Sequence, residues 1–326
     1  MIFIYLLVFM AFMMLVVLGA KMISQAVKVK RGLLHKVGLW NISVFELIVC
    51  TFLVTYTLVM LGLLIWALFA SFKGAEDFLF NPLGLPQKFT LENYKLVFEA
   101  STLPSITTNT YFTIWDQFGN SVMYAVGSAF FRVTATTIVA YCTAKYKHWI
   151  STLIYNTVLV TLALPIVGNM PSLLQVTHML KIFDTFHGMF IMNFYFNNIY
   201  YLLIHAAFKN LSWTYAEAAF IDGASHLRVF VRIYLPMVIN LLSVVFLLFF
   251  IEIWNEYQTP MVYLPSFPTI SYGLYTISRG GQTGSLIIEP PLIIATGVFS
   301  FAIIFVVFMT FRKKLMGNLT EGGIKG

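Results

Sequence analysis

The residues whose types and spacing carry the most chemistry lie between Thr214 and Pro236. The run reads Thr214-Tyr215-Ala216-Glu217-Ala218-Ala219-Phe220-Ile221-Asp222-Gly223-Ala224 and continues to Ile233-Tyr234-Leu235-Pro236. Thr214 and Glu217 have the spacing of a capping box, in which each side chain satisfies an orphan amide at a helix start. Ala216, Ala218 and Ala219 favour helix and leave its flank thin enough for a partner to approach closely. Gly223 supplies a left-handed stop about two turns later. A second helical segment should then lead to Pro236. The product is a short surface helix whose small residues let a partner approach closely.

A second set of polar residues falls inside strongly apolar stretches. Arg132 sits well inside a run that begins near Asn120. An arginine at mid-helix costs about 2.5–3.5 kcal/mol on insertion scales, so its charge should face protein or water. Glu252 is one partner for it, and Glu46 a less plausible one. Arg132 then either lines a polar path through the bundle for an anionic ligand or holds helices together as an ion pair. Asn193, Asn197 and Asn198 are spaced as one side of a helix. With Tyr195, Tyr200 and Tyr201 they suit sugar hydroxyls and sugar faces, and they suit interhelical hydrogen bonds equally.

Other chemistry is missing from the sequence. There is no G-x-x-x-x-G-K-[ST] phosphate loop, and Gly280, Gly281 and Gly284 lack the following Lys-Ser/Thr. The six histidines form no metal-ligand spacing, and His178, His187 and His226 read as surface or satisfied polar residues. Cys50 and Cys142 both lie in apolar stretches and read as small fillers. No nucleophile–base–orienter set can be assembled, so the chain is expected not to be an enzyme.

The elements that must position these residues follow from composition. With 326 residues, 59% of them hydrophobic and only 10% charged, the chain falls far outside the range of soluble domains. Seven apolar runs are long enough to count as spans, at about Ile2–Ala20, Ser43–Phe72, Asn120–Tyr146, Trp149–Met170, Met189–Phe208, Ile233–Glu252 and Pro290–Phe311. The fold class expected is all-α, a polytopic membrane helix bundle. The first run has no basic residues before it and Lys21 after it, which favours a retained helix over a cleaved signal.

Most of the 20 basic residues occupy alternate connections. They are Lys21, Lys28, Lys30, Arg31 and Lys36, then Lys145 and Lys147, then Lys209, Arg228 and Arg232, and last Arg312, Lys313, Lys314 and Lys325. By the positive-inside rule these connections face the cytoplasm, with the N-terminus outside and the C-terminus inside. The net charge of +7 is therefore a topology signal and does not imply nucleic-acid binding. The opposite connections, 73–119 and 257–289, are acidic and rich in turn residues, and the first should be an ordered segment.

Here a family resemblance becomes specific. Glu217, Ala218, Ala219, Gly223, Ile233, Leu235 and Pro236 match the EAA signature of permease subunits in binding-protein-dependent ABC importers. Asp222-Gly223-Ala224 resembles the carbohydrate branch, in particular the family of the maltose-system G permease. Phe89-Thr90-Leu91-Glu92-Asn93-Tyr94, Trp254-Asn255-Glu256 and Leu319-Thr320-Glu321-Gly322-Gly323-Ile324-Lys325-Gly326 fit it in order.

The resemblance covers about Val44 to Gly326. It implies the type I importer permease fold over 43–326, six core spans, with 1–42 as an extra N-terminal helix and a basic linker. It also implies that the loop 209–232 holds a coupling helix, with Glu217, Ala218, Ala219, Asp222, Gly223 and Ala224 docking on an ATPase. Gly223 would permit the turn between its two arms. The implied partners are a second homologous permease, two ATP-binding subunits carrying ATP and Mg, an extracytoplasmic binding protein and the lipid bilayer. No cofactor is implied on this chain, and most sugar contacts would lie on the partner permease. A permease for another solute and an ion-coupled secondary transporter are the rival readings, the latter weakened by the lack of a convincing repeat and by few intramembrane carboxylates.

Overall fold

The computed structural model describes residues 2–30, 44–100, 103–104, 111–164, 168–279 and 289–321. The expectations placed on Arg31, Lys36, Gly280, Gly281, Gly284 and the tail from Gly322 onward lie outside the described residues. The chain divides into two compact units, Met1–Phe89 and Thr90–Gly326.

The first unit holds α1 (Ile2–Lys30), α2 (Val44–Ala70) and α3 (Ala75–Phe80). Helices α1 and α2 pack together, and Lys21 pairs with Glu46 at 2.5 Å. Glu46 is thereby engaged by a residue of its own unit.

In the second unit the elements are α4 (Glu92–Ala100), α5 (Ile114–Lys145), α6 (Trp149–Ala163), α7 (Met170–Met179), α8 (Phe186–Met192) and α9 (Ile199–Asn210). There follow α10 (Thr214–Ile221), α11 (His226–Val229), α12 (Leu235–Asn255), α13 (Gln258–Tyr263), α14 (Ile270–Ser278) and α15 (Pro290–Glu321). A single antiparallel pairing, Leu103–Pro104 with Tyr111–Phe112, is the sheet among the described residues. The architecture is thus helical throughout, as expected.

Among the described residues, four helices are long and apolar enough to cross a membrane, at Phe45–Ala70, Ile114–Lys145, His226–Asn255 and Pro290–Phe311. Met13–Gln25 and Trp149–Ala163 are shorter apolar helices. The run Met189–Phe208, expected to be one helix, is two. Helix α8 stops at Met192, and α9 starts only at Ile199. The cause is local: Asn198 accepts the Tyr201 amide at 3.1 Å, an N-cap that opens a new helix instead of continuing the old one.

Helix α5 is the axis of the second unit. A capping box starts it, with the Thr113 amide donating to Asp116 Oδ2 at 2.9 Å and the Asp116 amide to Thr113 Oγ1 at 3.3 Å. Its 32 residues span about 48 Å at 1.5 Å per residue, longer than a hydrocarbon core of about 30 Å. The buried stripe contains Ser121, Ala125, Ser128, Ala129, Ala135, Thr136 and Ala140. Small residues at this spacing let neighbouring backbones approach closely, the usual basis of helix packing in lipid. Helices α9 and α12 pack on that stripe, and α8 lies beside them.

The connection after α12 is pinned to the other elements. Asn120 Nδ2 donates to Pro268 O at 3.1 Å, and the Ile270 amide to Ser121 Oγ at 2.8 Å. Asp184 Oδ1 accepts the Ser266 amide at 3.0 Å, and Tyr263 donates to Met170 O at 2.9 Å. The described part of 257–289 is therefore an ordered cap over this end of the bundle.

The turn into α8 has no room for a larger residue at Gly188, where a Cβ would fall 2.0 Å from the Ile182 carbonyl oxygen. Gly188→Ala should destabilise the folded chain by about 1–3 kcal/mol, the usual range for overpacking. A thermal melt of the purified protein in detergent should show the lowered midpoint.

Candidate functional site

Two places in the second unit concentrate the residues singled out by sequence: the loop that carries Glu217, and the surroundings of Arg132.

In the loop, α10 is 8 residues long and begins at Thr214. The expected capping box does not form. Trp213 is the N-cap and provides no side-chain bond, and Ser212 Oγ instead accepts the Thr214 amide at 3.2 Å. Glu217, freed from capping, is exposed and makes no hydrogen bond or ion pair among the described residues.

The other end follows expectation. Gly223 has φ +79°, Ala224 N donates to Ala219 O at 2.9 Å, and Gly223 N donates to Phe220 O at 3.0 Å. This is a Schellman closure, and the left-handed residue inside it favours glycine. Ser225 caps α11, and a π-helical turn, Phe230–Tyr234, joins α11 to α12. Pro236 accounts for that turn. It has no amide to give the Arg232 carbonyl, and its ring crowds that carbonyl, so the ladder widens locally.

The loop is held by an aromatic cluster that sequence reasoning missed. Tyr141 packs its ring against Tyr146, Phe208, Phe230 and Tyr234, with centroids 4.6–5.9 Å apart. Tyr146 meets Trp213 at 5.8 Å, and its hydroxyl bonds His226 Nδ1 at 2.9 Å. Phe220 lies against both Trp213 and His226. Tyr234 donates to Ser212 O at 3.0 Å, and Lys145 donates to Leu211 O at 2.5 Å. The spread of these aromatics over four elements explains why no local pattern showed them.

The result is a helical elbow fixed to the ends of α5, α9 and α12. Ala216 is fully buried and anchors it, while Glu217, Ala218 and Asp222 are exposed. Tyr215, Ile221 and Leu227 add exposed apolar surface around them, Ile221 being 86% exposed. Ala219 and Ala224 are half-buried behind that surface.

At the second place, Arg132 Nη1 donates to Glu252 Oε1 at 2.9 Å and Nη2 to Asn193 Oδ1 at 2.5 Å. The guanidinium lies over the Tyr195 ring at 4.7 Å and the Phe249 ring at 5.2 Å. Arg132 thus joins α5, α12 and the α8–α9 break, and its Nε is buried without a hydrogen bond. These groups border a cavity of about 180 Å³, also lined by Tyr124, Glu256 and Thr259.

The three asparagines do not share a helix face. Asn193 ends α8 and reaches Arg132. Asn197 Oδ1 accepts from Thr161 on α6 at 2.8 Å, and Asn198 Nδ2 donates to Thr136 on α5 at 2.9 Å. Tyr201 is buried and bonded to Thr143 at 2.8 Å, whereas Tyr195 faces the cavity. Period-based reasoning assumed an unbroken helix here, and the break redistributes the three amides among three neighbours.

Among the described residues no cluster of metal-ligating side chains occurs. The arrangement supports docking and conformational work, with an ion pair and an open polar cavity in the bundle.

Comparison with known proteins agrees with this picture. A family model described as binding-protein-dependent transport system inner membrane component matches residues 132–320, more than half of the chain. The diacetylchitobiose uptake system permease of Streptomyces coelicolor is 22% identical over 276 residues, covering 83% of this chain and 86% of the relative. The arabinooligosaccharides transport system permease of Bacillus subtilis is 23% identical, covering 87% of this chain and 97% of the relative. The fold is similar to a chain in the crystal structure of a bacterial ABC transporter involved in importing the acidic polysaccharide alginate. That likeness has a TM-score of 0.65 at 21% identity and covers 83% of this chain and 96% of that one.

Replacing Arg132 by Met leaves Glu252 and Asn193 without their cation. The loss should be about 1.5–3 kcal/mol, the range for a hydrogen bond to a charged group. Chemical denaturation of the purified protein would check it, and Tyr146→Phe should cost less, about 1 kcal/mol, by releasing His226.

Proposed function

The chain belongs to the family of binding-protein-dependent transport system inner membrane components, and from that premise we propose that it is the permease subunit of an ATP-driven importer for a sugar or oligosaccharide. Relatives named for diacetylchitobiose and arabinooligosaccharides support the substrate class. The observation that carries the mechanism is the elbow of α10 and α11, anchored by aromatics on one side and bare on the other.

In this reading the elbow is the docking element for an ATP-binding subunit. Glu217 offers a carboxylate to a basic group there, Ala218 lets the partner close in, and Asp222 and Ala224 flank the turn. Two ATPase subunits holding ATP and Mg, a second homologous permease and an extracytoplasmic binding protein complete the machine. Because the elbow is tied to α5, α9 and α12, a push on it is passed to the bundle. A push that favours one arrangement of the bundle shifts it between inward-open and outward-open states.

The domain reading is a permease domain over 43–326, with residues 1–42 as an added helix and linker. The N-terminus lies outside and the C-terminus in the cytoplasm, which puts the elbow on the ATP side. The described part of 257–289 then faces the binding protein. Arg132, Asn193 and Glu252 line the path through their cavity, while Asn197 and Asn198 serve it indirectly by tying α6 and α5 to the break.

In the reconstituted complex, Glu217→Gln should leave assembly intact and lower binding-protein-stimulated ATPase and uptake together. Unchanged coupling would count against docking through Glu217. Gly223→Ala forces a left-handed residue to carry a side chain at about 1–2 kcal/mol, so uptake should fall there too. For the path, an assembled Arg132→Ala complex should change its preference among saccharides; an unchanged preference would leave Arg132 a purely structural tie.

A further inference from the structure

Helix α2 is followed by a segment, 74–89, that turns back along it. The helix ends at Ala70, yet Trp66 Nε1 donates to the Pro82 carbonyl at 2.9 Å. Trp66 stands four residues before that end, about 6 Å down the axis at 1.5 Å per residue. Pro82 is therefore level with the last turn of the span and not beyond it. Phe89 packs on Phe69 and Phe72 at 6.3 and 6.1 Å, and Phe78 on Trp66 at 6.5 Å. Both limbs of the segment are held against the helix.

Several polar groups of the segment are met within it, while Asp77 Oδ1 is buried without a partner. Asp77 Oδ2 accepts the Gln87 amide at 2.9 Å, Asn81 Oδ1 accepts the Gly84 amide at 3.0 Å, and Asn81 Nδ2 donates to Leu85 O at 3.2 Å. The Lys73 ammonium donates to the Asn81 carbonyl. Backbone that leaves water must meet its hydrogen bonds internally in this way. The side chains turned outward are apolar: Leu79, Phe80, Leu83 and Leu85 are 74%, 83%, 82% and 67% exposed. Single exposed apolar residues are ordinary, but a contiguous group marks a contact surface. Exposed Glu76, Gln87 and Lys88 lie on the two limbs, Glu76 one helical turn before Phe80.

We propose that residues 74–89 form a membrane-interface anchor, with the tip at Phe80–Leu85 seated at the headgroup–acyl boundary of the bilayer that α2 crosses. The occupant follows from depth and continuity. The tip is level with the end of a span whose most apolar window is only 11% buried, so the apolar surface of α2 runs directly into it. A partner arriving from the aqueous side would meet the charged limbs first. Inserted interfacial side chains reach about 5–10 Å into that boundary, a depth open to a tip folded back beside the last turn of a span.

The test uses the complex purified with its partner subunits in lipid nanodiscs, with Cys50 and Cys142 replaced by Ala. Nitroxides are attached at F80C, L83C or K88C. Labels at 80 and 83 should be relaxed more by oxygen, which partitions into lipid, than by a water-soluble nickel chelate, and the label at 88 should show the reverse. Dominance of the nickel chelate at 80 and 83 would overturn the anchor. So would protection from both relaxants, which would place the tip against a protein subunit. Gly84→Ala puts a Cβ 2.2 Å from Asn81 Oδ1, so the Asn81 side chain must leave its bonds to Gly84 and Leu85 that hold the turn. Adding it to F80C should abolish the lipid signature, and an unaltered signature would show that the folded turn is not what seats the tip.

Discussion

The positive charge of Arg132 has to be answered inside an apolar bundle, and the arrangement of the second unit turns on how it is answered. Arg132 is only 8% exposed, and its guanidinium draws a carboxylate from α12, an amide from the end of α8 and two aromatic faces around itself. Glu252 and Asn193 are 59 residues apart in sequence, and one side chain holds both. Interrupting the helix between Met192 and Ile199 is what lets Asn193 turn toward α5, and the same interruption releases Asn197 to α6 and Asn198 to Thr136. The cavity beside Arg132 is a consequence, since a helix break leaves space that continuous packing would fill.

At the far end of the same helices the constraint is different. The elbow of α10 and α11 stands out from the bundle and is nevertheless tied to the ends of α5, α9 and α12. A glycine in a left-handed conformation closes one arm, a π-helical turn beside Pro236 admits the other into α12, and rings from four elements lock the base. Aromatic packing suits this role because large flat side chains fill the gaps between helices that diverge, and Tyr and His add a bond at their tips. The outer surface of the elbow shows a carboxylate, small residues, a few exposed apolar side chains and the basic Arg228 and Arg232.

The two regions differ in how legible they were. The elbow is encoded within about twenty consecutive residues, and its glycine stop and its exposed face could be read from spacing. Its start could not, because the helix opens at Trp213 with no side-chain cap, and Ser212 takes the Thr214 amide while its carbonyl is held by Tyr234. The asparagines misled for a related reason. Their spacing fits a helix face, but an asparagine also starts helices, and at Asn198 that second tendency prevailed. Glu252 could be nominated as a partner for Arg132 by depth, whereas Glu46, a less plausible partner for it, pairs with Lys21 across two helices, which no local pattern encodes.

Composition and periodicity, which are local properties, determined that this chain is a helical membrane protein and where its longest apolar helices run. Family signature residues, also local, carried the class of transport system. Tertiary structure alone decided which helix was broken, which side chains met Arg132, how the elbow was anchored and how the segment after α2 folded back to the level of its last turn. The physical reason is range: capping and helix propensity act over a few neighbours, whereas the pairing of a buried charge and the packing of rings are settled only when distant segments are brought together.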